Sequence, residues 1–434
     1  MKKKFYLFAA AAIMLMTACS SDDATSDVTP ASQAPMAVGF DTYLSNTTRA
    51  VGGQTGVMTT STLQTTGFGV FAFQTTNTYP AGGTGKTPNF MYNEEVTYGS
   101  SVWSYSPLKY WPNNTTQDMH GASGHATITT PNDYVSFFAY APYVANASVG
   151  TPGITGFTAN DATGDPKVSY TVATKPSESV DLLWGVTPTA WTYTDVANNN
   201  WNPAGAQNGL PLKNMLKPSV DTRMKFLFQH ALSRLGINVI AAVDQEAAGG
   251  ELNDQTKIVI ESVTITETTA TPTLAKSGDL NLNNTTANVA LWTRTPVAPA
   301  DPLAFTINAS NELENSLLWE TNAAISWAKE GVLTSKEKPL IDGGYFMLIP
   351  TDGATAAELT VNIVYKVITK DTALDGDYST VTNNITKVVN LDFDNGNAYT
   401  LKLILGLTSV KLDAEVKPWA VQGATDVDLP QNYE

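Results

Sequence analysis

Leu359-Thr-Val361-Asn-Ile363-Val-Tyr365-Lys-Val367 places an apolar side chain at every second position. Successive side chains of a strand point to opposite faces, so this run presents one continuous apolar face. The same period recurs in both directions from it. Downstream, Tyr399, Leu401, Leu403, Leu405 and Leu407 form a second face. Val410, Leu412, Ala414 and Val416 alternate with Lys411, Asp413, Glu415 and Lys417, the pattern of a half-exposed strand. Upstream, Phe346–Ile349 before Pro350 reads as a fully buried strand, and Ile237, Val239 and Ala241 alternate again. Phe226 and Phe228 alternate with Lys225 and Gln229. In the first half, Val38, Phe40 and Leu44 share one face, followed by the apolar runs Phe68–Phe73, Tyr134–Tyr140 and Asp181–Val186. No window carries a long 3.6-residue period and no repeat is visible. The pattern predicts an all-β chain of two β-sandwich domains in tandem. The Pro/Asn/Lys-rich stretch Trp201–Asp221 is the expected linker, which divides the chain into sandwiches at 36–215 and 216–434.

Composition agrees with strands and turns. Of 434 residues, 42% are hydrophobic, which excludes wholesale disorder. Only 15% are charged, so Thr, Asn, Ser and Gly must supply much of the polar surface. The 40 acidic and 25 basic residues leave a net charge of −15. Electrostatic binding to nucleic acid is therefore not expected. One cysteine excludes an internal disulfide framework and a Cys-based zinc site.

That cysteine stands at the end of an export signal. Lys2-Lys3-Lys4 is followed by the apolar stretch Phe5–Met16, too short to span a bilayer, and then by Leu15-Met16-Thr17-Ala18-Cys19. Small residues before a cysteine at this place resemble a bacterial lipobox. Residues 1–18 then form a lipoprotein signal peptide and Cys19 carries the acyl anchor. Ser20-Ser21-Asp22-Asp23 resembles the surface-export signal of Bacteroidetes lipoproteins. Residues 19–35 read as a tether.

A catalytic constellation is absent from the pattern. No phosphate loop, nucleophile elbow or zinc-protease motif occurs. His120 and His125 lie in a Gly/Ser stretch, and His230 ends a period-two strand, where a buried, hydrogen-bonded role is expected. No catalytic, metal-binding or cofactor-binding residue is assigned, and the chain is not read as an enzyme. Trp103, Tyr110, Trp111, Trp191 and Trp201 are of a type that stacks on sugar rings, although core packing accounts for them more simply.

Four blocks, in order, resemble the fimbrillin-like (Mfa-like) proteins of Bacteroidales, subunits of type V pili. They are Val38-Gly-Phe40 with Thr47-Thr48-Arg49-Ala50; Leu108-Lys-Tyr110-Trp111-Pro112 with Val135–Pro142; Asp181-Leu-Leu-Trp184 with Phe226–Leu235; and Tyr345–Pro350 with Phe393–Trp419. The resemblance implies two transthyretin-like sandwiches and a lipoprotein processed at the outer membrane by an Arg-specific protease. It further implies a cut between Arg49 and Ala50, release of the strand carrying Val38, Phe40 and Leu44, and filling of its groove by a strand of a neighbouring pilin subunit. Arg49 is the only Arg or Lys between Cys19 and Lys86, so such a cut is unambiguous. The C-terminal residues, with Val410, Leu412, Ala414 and Val416 as plugs, are the expected donor. A fimbrium built this way mediates adhesion to a host or glycan receptor. Two other readings stay open on sequence alone: an anchor or tip subunit of the same pilus, and a monomeric surface lipoprotein that binds glycans.

Overall fold

The computed structural model describes residues 36–44, 58–75, 78–79, 86–112, 134–147, 152–188, 193–194, 200–201, 207–215, 223–241, 246–247, 251–252, 256–308, 338–341, 344–351, 353, 355–370, 373–374, 378–406 and 410–419. Cys19, Arg49, Ala50, His120, His125 and Trp191 lie outside them, as do residues 1–18 and the 19–35 tether. In chain order the strands of the main sheets are β1 (Gly39–Leu44), β2 (Phe68–Thr75), β3 (Met91–Gly99), β4 (Val102–Ser104), β5 (Tyr134–Ala141), β6 (Gly153–Phe157), β7 (Lys167–Thr171), β8 (Leu183–Val186), β9 (Leu212–Met215) and β10 (Arg223–His230). They continue as β11 (Ser233–Ala241), β12 (Thr256–Glu267), β13 (Ser277–Asn281), β14 (Leu291–Arg294), β15 (Ala304–Asn308), β16 (Lys338–Pro339), β17 (Phe346–Leu348), β18 (Ala357–Lys370), β19 (Tyr378–Leu391), β20 (Asn397–Leu405) and β21 (Val410–Pro418). A short α-helix, α1 (Thr60–Thr66), is capped by Thr59, whose side chain accepts from the Thr62 amide. The all-β expectation, with β-sandwiches in tandem, holds.

The first sheet has the order β1-β10-β8-β5-β2-β3-β4, and β9 adds to β5. β1 is an end strand. It runs parallel to β10, from Gly39 opposite Arg223 to Leu44 opposite Phe228. Both faces of this sheet are covered, and the period of two sorts its side chains. Phe68, Val70 and Ala72 of β2, with Val135, Phe137 and Ala139 of β5 and Phe226 and Phe228 of β10, line one core. Phe71 and Phe73, with Phe138 and Tyr140, line the other. Burial on both sides explains why these strands read as unbroken apolar runs. On the second face, Phe157 of β6 packs 5.1 Å from Tyr140 and 6.1 Å from Phe71, measured between ring centroids.

The opposing sheet has the order β14-β13-β7-β6. Its two middle strands come from different halves of the chain: β13 pairs with β7 from Ser277 opposite Thr171 to Asn281 opposite Lys167. The halves are therefore interwoven. β10 (Arg223–His230) belongs to the first sheet, beyond the expected division at 215/216. β9 forms within the expected linker because Leu212 and Met215 face the first core and pair with β5.

The second sandwich faces a sheet of order β16-β11-β20-β21, with β17 added to β11, against one of order β15-β12-β18-β19. Leu401, Leu403 and Leu405 meet Leu359, Val361, Ile363 and Tyr365, all fully buried. Phe305 and Phe346 touch across the gap at 4.3 Å, and the Tyr365 hydroxyl donates to the Gly406 carbonyl at 2.9 Å. A bulge between Ile260 and Ser262 moves the inward set of β12 from Ile258 and Ile260 to Val263 and Ile265.

Candidate assembly site: the first strand and its groove

β1 carries the side chains that fill the first core. Val38, Phe40 and Leu44 are all buried, Phe40 to 2% exposure. The Phe40 ring lies 5.5 Å from Tyr105, 5.9 Å from Phe137 and Phe226, and 6.1 Å from Phe68. Burying three large apolar side chains contributes roughly 5–9 kcal/mol in transfer terms. Among the described residues, only β10 pairs with β1 as a ladder, so removing β1 exposes one edge and one apolar trough and leaves the remaining strand order intact.

The lead-in to β1 is held separately. Val38 N–H donates to the Lys109 carbonyl at 2.9 Å, and Trp111 N–H donates to the Met36 carbonyl at 3.0 Å. The Tyr105 hydroxyl donates to the Val38 carbonyl at 2.8 Å. Burial pushes the Tyr105 phenol up to about 12, against the opposing effect of its hydrogen bond at Lys109. Residues 105–111 thus clasp the start of β1. The Leu108–Pro112 block was legible as a motif, but nothing in it identified this clasp, which joins two segments far apart in the chain. Tyr110 is 48% exposed and Trp111 is buried. Trp111 and the half-buried Trp103 pack on Phe137 and Phe68, so they serve the core.

Along β1, a cavity of about 310 Å³ opens between Phe40–Leu44, α1 and β4, and reaches Arg223 opposite the start of the strand. β4 is the other end strand of the same sheet, so the cavity separates the sheet's two ends.

The other candidate strand, β21, is also an end strand. It pairs antiparallel with β20 along its whole length, Val410 opposite Leu405 to Pro418 opposite Asn397. Val410 is buried, Leu412 and Ala414 are half-buried, and Val416 is 50% exposed. Glu415 bridges to Lys402 of β20 at 2.8 Å and to Lys417, and these two hydrogen bonds hold its carboxyl down at about 2. Just beyond β21, Trp419 is buried and stacks on His230, 4.1 Å between centroids at 9°. The Trp419 backbone N–H donates to the Gly396 carbonyl at 2.6 Å.

His230 is the buried, hydrogen-bonded histidine expected of it. Its Nδ1 lies 2.8 Å from Asp181 Oδ2, which also accepts the Met58 N–H at 2.9 Å. Asp181 is fully buried and Arg234 is oriented nearby, 4.2 Å from the centre of the Tyr345 ring and 5.3 Å from that of Trp419. This cluster joins the start of the chain after the β1 segment to the end of β21. Among the described residues, no group of three or more His, Cys, Asp or Glu is placed to hold a metal ion.

No family model matches the chain. It aligns over 432 residues, at 24% identity, with the fimbrium subunit Fim1C of Phocaeicola vulgatus, covering 96% of this chain and 97% of that protein. The chain is related to a Bacteroidales fimbrium subunit. A crystal structure of a fimbrial protein from Bacteroides vulgatus superposes with a TM-score of 0.58, covering 88% of this chain and 99% of that one at 24% identity. The fold described above is therefore the fold of that fimbrial protein. Among the described residues, no helix is long and apolar enough to cross a membrane.

Proposed function

We propose that this chain is a structural, non-enzymatic subunit of a cell-surface fimbrium that polymerises by strand exchange. It is exported as a lipoprotein through Cys19 and displayed at the outer membrane. An Arg-specific protease then cuts between Arg49 and Ala50. The cut separates β1 and the acyl anchor from the rest of the chain, and a strand of the next subunit takes the place of β1. The observation that carries the reading is the position of β1: an end strand, apolar toward the core, and just upstream of the candidate cut. An edge of unpaired backbone above an apolar trough is a template for strand addition. Head-to-tail addition does not close on itself, so it yields a filament. The full-length likeness to a fimbrium subunit supports the same reading.

Purified protein treated with an Arg-specific protease should lose residues up to Arg49 and then form ladders that survive SDS without boiling. Arg49→Ala should block both steps. Persistent monomers after a clean cut would exclude strand exchange. In cells, Cys19→Ala should abolish palmitate labelling and surface display.

A further inference from the structure

Strand exchange poses a kinetic problem. If β1 had to leave before another strand arrived, the trough would lose the burial of three large apolar side chains with nothing in return, slowing exchange by orders of magnitude. A receiving site usable while β1 is in place removes that barrier. The cavity along the outer flank of β1, from Phe40 to Leu44, has the required placement. Phe40–Leu44 form one wall, α1 contributes Leu63 and Gln64, and Val102 and Trp103 of β4 form the far wall. Both flanking strands are ends of the sheet, so their outer edges face it. Its volume of about 310 Å³ matches the smaller ligand pockets, roughly 300 Å³.

A second observation fixes the direction. The Val38 end of β1 is clasped by Lys109, Trp111 and Tyr105. The Leu44 end is the one that a cut at Arg49 would set free. Peeling of a cut β1 therefore starts at Leu44, runs along the cavity wall, and ends at the clasp.

We infer that the cavity between β1 and β4 is the docking site where the incoming strand of a second copy first binds, and that displacement of β1 runs from Leu44 to Val38. The inference rests on the strand-exchange reading. Once docked against the open flank of β1, the incoming strand takes over the β10 edge as β1 peels away. Each residue of β1 that leaves the edge is then replaced before the next one departs.

The test fills the cavity of the full-length protein. Thr60 and Val102 are exposed and line it, so Thr60→Trp and Val102→Phe should occupy it without disturbing the core. Thermal unfolding checks that each variant is folded. After cutting at Arg49, both variants should be cleaved at the wild-type rate but form SDS-resistant ladders at least tenfold more slowly. Mixed at one part in ten with cut wild-type protein, they should shorten the ladders, because they still donate a strand but accept one poorly. Ladder formation within threefold of wild type, with unchanged ladder lengths in the mixture, would overturn the docking site while leaving strand exchange standing. Wild-type protein that stays monomeric after the cut would sink both. Protection of Tyr98 and Trp103 by simple hexoses, with no effect of hexose on ladder rate, would make the cavity a sugar pocket and likewise overturn the proposal.

Discussion

Gly69 has no space for a side chain. A Cβ there would lie 2.3 Å from Cε1 of Tyr140, a fully buried ring whose hydroxyl donates to Asn93 Oδ1 at 2.6 Å. Burial pushes that phenol far above its ordinary range. Gly69→Ala is expected to cost about 1–3 kcal/mol by overpacking, read as a lowered denaturant midpoint at unchanged slope. A neutral result would mean that β2 and β5 can slide apart. His230 is the second test. Removing its ring leaves buried Asp181 with the Met58 amide and strips Trp419 of its stacking partner. Leaving a buried polar group without its hydrogen-bond partner costs about 1–3 kcal/mol. His230→Ala should therefore destabilise by that amount, and His230→Asn, which keeps a donor near the same place, by less. Equal losses would show that packing against Trp419, not the bond to Asp181, is what His230 provides.

β18 and β20 were legible element by element because one face of each meets a core and the other is less buried, so the sequence alternates. β12 was not, since its bulge after Ile260 shifts the inward set by one residue and breaks the period. Val38, Phe40 and Leu44 were legible as one face, and all three are buried. Their parallel pairing with Arg223–Phe228 was not legible, because no local pattern encodes pairing between distant segments. The same distance hid Tyr105 and Asp181, whose roles exist only once separated segments meet. β21 is held more loosely than its full ladder suggests. Val416, on the same face as buried Val410, is 50% exposed, and the Glu415 bridge to Lys402 is a surface interaction that salt screens. The Glu415 carboxyl sits at about 2 in the folded chain against an ordinary 4.5. Its contribution is therefore complete above about pH 4.5 and is lost as pH falls toward 2. Acidification through that window should loosen β21 from β20, seen as faster proteolysis by pepsin near Leu412 at pH 2 than at pH 4 relative to a Glu415→Gln control. A wild-type ratio no larger than that of the control would mean that the bridge does not hold β21.

At the scale of the whole molecule, the strand order ties the two halves of the chain into one cooperative body. β7 finds its neighbour β13 in the second half, and β10 completes the first sheet after the expected linker. A buried carboxylate bolts the same junction. Asp165 accepts from the Tyr79 hydroxyl at 3.3 Å, from Asn281 Nδ2 at 3.1 Å and from Asn283 Nδ2 at 3.0 Å. These groups come from three separate stretches. Burial, together with the pairing of Tyr79 with the Asp165 carboxylate, raises the phenol well above its ordinary range. A chain cut at 215/216 would leave β8 and β1 without β10, and β7 without β13. The two fragments, 36–215 and 216–434, are therefore expected to be insoluble or unfolded when made separately, despite each having the length of a domain. The full chain should unfold in a single calorimetric transition whose van't Hoff and calorimetric enthalpies agree. Asp165→Ala leaves the buried Asn283 amide and Tyr79 hydroxyl, and the half-buried Asn281 amide, without their acceptor, at about 1–3 kcal/mol per buried unsatisfied group, and should shift that one transition without splitting it. Two resolved transitions, or a soluble and folded 36–215 fragment, would mean that the sandwiches fold apart and that force applied along a filament can unravel one without the other.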